Sequence, residues 1–319
     1  MPSGILLTLL LAAHLIAVNI AMAGPLLCLA LKRREVKLGD EVASQVGHQL
    51  AKASLVSLAI GSLLGGALLA VVWIGGAERY LAALGAIPAS RYWFALAEII
   101  FYVACMSGVL WTWQRRPTRT ILLVVLSILA ATDLMFHFPP MFTIVATAAR
   151  RPELVQATIE RTTYYQLLVD GEVLSRVTHV WLASVAVTAM TVCLIAIAGA
   201  REEDRRRRLT SWTAKWALGA TLLQLPTGLW MLLVMPARET GRMLGNDAVA
   251  TTLFALSLVI GFHLLQRLSA MALGDVERKT TFRTAAAMGA VVLLMVATLE
   301  RVGATGTTSN AAPTARDRP

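Results

Sequence analysis

The sequence predicts an all-α integral membrane protein whose eight transmembrane helices form two tandem four-helix bundles. Hydrophobic residues fill 57% of the 319 positions and charged residues only 15%, with a mean hydropathy of +0.66, far from soluble-domain composition. The apolar residues gather in eight runs, each near the ~20 residues a helix needs to cross a bilayer. One stretch also returns: AAHLIAVNIAMAGPLLCL, Ala12 to Leu29, reappears as VTHVWLASVAVTAMTVCL, Val177 to Leu194, with a histidine followed fourteen residues later by a cysteine in each. Such self-similarity is the mark of a duplicated scaffold.

The expected spans are 4–31, 51–74, 92–113, 120–145, 174–198, 212–235, 248–273 and 284–299. The first resembles a signal peptide at Ala21, Met22 and Ala23, but it lacks a basic start and runs on past Pro25 until Lys32, Arg33 and Arg34 stop it, so it is expected to be retained. The second carries Gly61, Gly65 and Gly66, small residues that permit close helix contact. The third opens on Tyr92, Trp93 and Phe94 and carries Glu98. In the fourth, Pro139 and Pro140 follow His137 and free backbone carbonyls. The fifth holds His179, and the sixth holds Gly228 and Met231.

Further matches link the halves. Ala51 and Lys52 correspond to Ala214 and Lys215, Gly65 to Gly228, and the Phe-Ala-Leu triplet at 94–96 to that at 254–256. Four spans per half is an even number, so the halves share one orientation. The expected organisation is a first bundle over 1–148, an outside loop over 149–173, a second bundle over 174–300 and a disordered polar tail over 301–319.

The net charge of +10 does not signal nucleic acid. Its basic residues cluster in KRREVK, QRRPTR, REEDRRRR and ERKTTFR, after the first, third, fifth and seventh spans. That pattern puts those loops inside and both termini outside. The longest outside connection, Ala149 to Arg176, is the expected docking surface for a partner and has room for a surface helix. Cys28, Cys105 and Cys193 all lie in apolar runs, so they form no disulfide framework, and without C-x-x-C-H any haem is held non-covalently. The P-loop, G-x-G-x-x-G, H-E-x-x-H and G-x-S-x-G patterns of soluble enzymes are absent.

Ionisable groups at membrane depth are costly and are therefore functional candidates. His14, Glu98, Asp133, His137 and His179 are the main ones. A neutral imidazole facing a bundle interior is the usual axial ligand of haem iron; the plainer alternative is a core histidine bonded to a neighbouring backbone group. The equivalent repeat positions of His14 and His179 favour iron ligation. Glu98 reads as an iron ligand or catalytic proton carrier, or else as a protonated structural acid. His137 is a further ligand candidate or a polar neighbour of the proline pair. Met231 offers a thioether as sixth ligand or fills space. Arg176, like Arg91 and Arg238, sits at an outer helix end suited to haem propionates or to lipid headgroups.

Four segments together resemble subunit I of the cytochrome bd quinol oxidases: AAHLIAVNIAMAGPL around His14, GHQLAKASLVSLAIGSLLGG, FALAEIIFYVACMSGVLWTW around Glu98, and SRVTHVWLASVAVTA around His179. The resemblance covers the first five spans. It implies one or two haems b, ligation by His14 and His179, a haem-side role for Glu98, and oxidoreductase chemistry of the terminal-oxidase kind in the bacterial inner membrane. The chain is a short form, because only PARETGRMLGND stands where the family has its quinol-binding loop, and the GRQPW-type signature and a ninth helix are missing. Electrons are then expected from a partner membrane subunit or an outer-side cytochrome. Two rival expectations remain: a haem-free transporter whose polar cluster lines a substrate or proton path, and a non-catalytic anchor subunit of a redox complex.

Overall fold

The computed structural model describes residues 2–115, 120–199 and 202–304, and no strand occurs among them. The helices are α1 (Pro2–Leu38), α2 (Glu41–Ile74), α3 (Glu78–Ala86), α4 (Ala89–Arg115), α5 (Thr120–Ala148), α6 (Arg161–Leu168), α7 (Gly171–Gly199), α8 (Glu203–Val234), α9 (Ala237–Gly241), α10 (Ala248–Ala272) and α11 (Arg278–Ala304). Eight of them, all but α3, α6 and α9, are long and apolar enough to cross a membrane. The chain is an all-α, multi-pass membrane protein.

The helices overrun the apolar runs that announce them. α2 starts at Glu41, where the Asp40 carboxylate accepts from the amide of Ala43 at 3.1 Å and caps the first turn. α8 starts at Glu203 rather than 212, and α11 runs from Arg278 to Ala304 rather than over 284–299. Hydropathy marks the stretch that suits lipid, whereas backbone hydrogen bonding continues through polar turns that water can solvate. Positions 301–304, expected to open a disordered tail, are therefore helical; the remainder of that tail, 305–319, lies outside the described residues, as do Arg116, Pro117, Thr118, Arg119 and Arg201 of two basic loops.

The prolines do not end their helices. Pro139 lacks the N–H that would bond the carbonyl of Met135, and the indole Nε1 of Trp181 on α7 donates to that carbonyl instead, at 2.8 Å. Pro25 likewise frees the carbonyl of Ala21, which accepts from the fully buried Tyr102 hydroxyl of α4 at 2.7 Å. Pro25 and Pro139 thus each convert an orphaned acceptor into an interhelical tie.

Packing follows the internal repeat. α1, α2, α4 and α5 close one ring through the contacts α1–α2, α2–α4, α4–α5 and α5–α1; α7, α8, α10 and α11 close another in the same order. The rings meet where α1 lies on α7, flanked by α5 against α7 and α11 against α1. Two hydrogen bonds fix the shared register: Cys28 Sγ donates to the carbonyl of Gly47, and Cys193 Sγ to that of Thr210, each at 3.6 Å and fully buried. The cysteines are separated by the histidine repeat, and Gly47 and Thr210 stand in the same relation as Ala51 and Ala214. At the seam, Thr188 Oγ1 donates to the Asn19 carbonyl at 3.0 Å.

The short helices α3, α6 and α9 share one end of the assembly, with the start of α1. The connection between α5 and α7 is not open loop: it holds α6 and a single turn over Pro152–Leu154, anchored where the Ile159 amide donates to the Ala86 carbonyl at 2.7 Å. Between α9 and α10, a π-type turn over Arg242–Asn246 reverses the chain at Gly245, whose φ of 142° suits glycine alone.

Candidate functional site

His14 sits on the α1 face that packs against α2, and its ring Nδ1 is 2.9 Å from the Gly61 carbonyl oxygen. A carbonyl can only accept, so Nδ1 carries the proton and Nε2 keeps a free lone pair. Gly65, one turn on, makes the fit possible: a Cβ there would lie 3.2 Å from the imidazole Cε1. The glycines noted in the sequence thus seat a histidine as well as allowing helices to approach.

His179 holds the matching position on α7 and is partly buried, with Nδ1 buried and lacking a hydrogen-bond partner. Its helical face is shared with Arg176, Ala186 and Met190, and the last two belong to the core of the second ring. Gln224 and Gly228 on α8 correspond by register to Gly61 and Gly65. Unlike Gly65, Gly228 has no atom within 4 Å of an added Cβ, so the second ring is looser at this point than the first.

A second cluster lies between α4 and α5. Nδ1 of His137 is 3.1 Å from Glu98 Oε2, too far out of line for a hydrogen bond, and Oε2 has no other partner. His137 Nε2 is also buried and unpartnered, as is Oδ2 of Asp133 one turn earlier on α5. The Phe94 ring lies 5.4 Å from the imidazole, centroid to centroid. Three unsatisfied polar atoms on two adjoining helices are a costly arrangement for a purely structural core.

The remaining sequence candidates stand apart. Arg176 is held 3.1 Å from Glu172 and 3.8 Å from Glu239. Glu172, nearly fully buried, is also paired with Arg150 and Arg151, and Arg151 reaches Asp170 at 3.2 Å. Three guanidiniums and three carboxylates therefore bind the ends of α5, α7 and α9 together. Met231, on α8, is partly buried. Among the described residues no three His, Cys, Asp or Glu side chains converge as a metal-coordinating group; a porphyrin supplies its own four nitrogens and asks the protein for one or two axial atoms.

Sequence reasoning missed Tyr102, Trp181 and the pair of Thr8 with Glu300, which joins α1 to α11. The two aromatic ties were findable, since each answers a proline four residues after the accepting carbonyl. Glu300 reads in sequence as a helix-end charge beside Arg301.

Fold and site together define a class: a multi-pass helical membrane protein with unsatisfied imidazole and carboxylate groups inside duplicated rings. No protein-family model and no curated protein matches the chain. Among solved structures it is similar to the bd oxidase from Geobacillus thermodenitrificans, with a TM-score of 0.68 at 13% sequence identity, over 94% of this chain and 85% of that one. The likeness is one of fold, and the chain has a distantly cytochrome bd-like architecture.

Proposed function

We propose that this protein is a bd-like haem b membrane cytochrome of respiratory electron transfer in a bacterial inner membrane, with both termini outside. The observation that carries the reading is the bd oxidase-like fold over 94% of the chain. The His14–Gly61 bond, which a core histidine would make as well, accords with it: a metal-binding histidine ordinarily donates its second ring N–H to a backbone carbonyl, which fixes the tautomer and leaves the other nitrogen free.

The donor set fits haem. His14 and His179 would each hold iron through an imidazole nitrogen, and bound haem would supply one-electron chemistry. The chain's own residues do the rest. Gly61 fixes the His14 tautomer and Gly65 leaves the ring room on the α2 side, so Nε2 is the nitrogen that would hold the iron. Glu98 and His137 are close enough to share and pass a proton once a small rotation aligns them. Glu98 remains the candidate haem-side ligand, and Met231 a candidate sixth ligand. Arg176 pairs with a propionate only in exchange for Glu172 or Glu239.

In this reading 1–148 and 174–300 are the two bundles of the duplicated scaffold, and a partner membrane subunit or an outer-side cytochrome delivers electrons near the α6 connection. The test is a pyridine haemochrome assay and a reduced-minus-oxidised spectrum of the purified chain. A b-type spectrum is expected, with a low-spin component lost in His179→Ala and a second lost in His14→Ala. Absence of haem would overturn the reading and leave a transporter in which Glu98, His137 and Asp133 line the path. Haem with neither carbon monoxide binding nor oxygen uptake would restrict the protein to electron transfer or anchoring.

A further inference from the structure

At the end of the molecule that carries α3 and α6, a cleft of about 300 Å³ is lined by Pro88, Ser90, Arg91, Phe94, Ile159 and Arg161. Its two arginines differ from Arg150, Arg151 and Arg176 in one respect. Arg150, Arg151 and Arg176 each have carboxylate partners, whereas Arg91 and Arg161 have none within ion-pairing distance among the described residues. They rest on aromatic faces instead: the guanidinium carbon of Arg91 lies 3.4 Å from the Tyr164 ring centroid, and that of Arg161 lies 5.6 Å from the Tyr165 centroid. Stacking holds a guanidinium in place without neutralising it. Two positive charges are thus fixed at the mouth of one cleft with no carboxylate in ion-pairing contact among the described residues.

The remaining walls are apolar, from Pro88, Phe94 and Ile159. Below them α4 continues as an exposed apolar face, with Trp93 72%, Phe94 58% and Ile100 63% accessible. Paired cations above an apolar helix face match an amphiphile with an anionic head. A free inorganic anion would gain nothing from that face, and a choline headgroup would bring its own positive charge against the arginines.

We infer that this cleft seats the phosphodiester headgroup of an anionic phospholipid, its phosphate between Arg91 and Arg161 and its acyl chains along the Trp93 side of α4. The inference is independent of any haem. It has one bearing on the interior: Phe94 forms part of the cleft wall and also touches His137, so a seated lipid covers the approach to the Glu98–His137 pair from this end.

The test uses the full-length protein, purified and delipidated in detergent, then titrated with phosphatidylglycerol, with phosphatidylcholine or with inorganic phosphate. Bound lipid is read by native mass spectrometry and stabilisation by the thermal midpoint. The wild type should prefer phosphatidylglycerol roughly tenfold, as expected for a charge-assisted phosphate contact. Arg161→Gln, at an exposed position, should remove most of that preference without unfolding the chain. Arg91→Gln should do the same; where loss of the Tyr164 stack prevents folding, Arg161→Gln decides the matter alone. Arg79→Gln removes one charge from the same end outside the cleft and should leave the preference intact. The inference is overturned if Arg161→Gln keeps the wild-type preference, if Arg79→Gln loses as much, or if inorganic phosphate alone gives the same stabilisation, which would make the cleft a free-anion site.

Discussion

His14 and Gly61 are joined across α1 and α2 by a bond of 2.9 Å from ring nitrogen to carbonyl oxygen, and Gly65 takes the space beside the ring. Gly65→Ala puts a Cβ 3.2 Å from the imidazole Cε1 and must displace it. In a haem protein this shifts the absorption band and midpoint potential of one haem while leaving the His179 signal unchanged. Spectroelectrochemistry of the variant reads both. An unaltered spectrum would separate His14 from any cofactor.

Glu98→Gln keeps size and removes an ionisable group 3.1 Å from His137. If the two share a proton, the variant retains its haem but loses part of the dependence of midpoint potential on pH. His137→Gln should lose a similar part, since either member acts through the other. Redox titration at several pH values measures the slope, and equal slopes in all three proteins would make the pair structural.

Glu172 is the hub for Arg150, Arg151 and Arg176. Glu172→Gln leaves three guanidiniums crowded around a neutral amide. The cost should be about 1–3 kcal/mol, less than for a fully enclosed pair because the arginines are partly solvated. Thermal unfolding in detergent should show it, with Arg151→Gln, the most exposed of the three, losing least.

Gly24 faces Ser54 so closely that an added Cβ would stand 1.9 Å from the hydroxyl oxygen. Gly24→Ala should therefore force α1 and α2 apart and destabilise by about 1–3 kcal/mol. Gly289→Ala, where nothing lies within 4 Å, should be neutral or slightly stabilising. Paired melting curves settle the difference.

Asp247 caps α10. Its carboxyl is held below the usual range first by the amide of Ala250, then by Arg301 and the amide of Val249. A folded-state value below the unfolded one means the stabilisation is present above the ordinary carboxylate range and fades as pH falls through the lowered value. Asp247→Asn should therefore be less stable than wild type at neutral pH, with the gap closing in acid. A gap independent of pH would assign the cap to hydrogen bonding alone.

Eight spans and their repeat were legible because bilayer burial demands long apolar runs, and because His14, Cys28, His179 and Cys193 stand in register. The seating of His14 was half legible: the glycines were visible, but not which side chain they served. The Glu98–His137 approach was not, since it depends on the rotation of α4 against α5, which two uniformly apolar helices leave open. Arg176 was read as an outer cation suited to propionates or headgroups; its i−4 neighbour Glu172 was legible as a partner, whereas Glu239, on α9, was not. Helix ends were misplaced wherever polar turns extend a helix beyond the lipid, as at Glu41, Glu203 and Ala304.

The seam where Thr188 of α7 reaches the backbone of α1 at Asn19 sets the spacing between the two rings. Helices in direct contact have axes about 8–10 Å apart, so groups carried on their far faces are separated by two helix diameters, roughly 20 Å of close-packed protein. In the proposed cytochrome, an electron passing from one ring to the other would cross this single rigid seam.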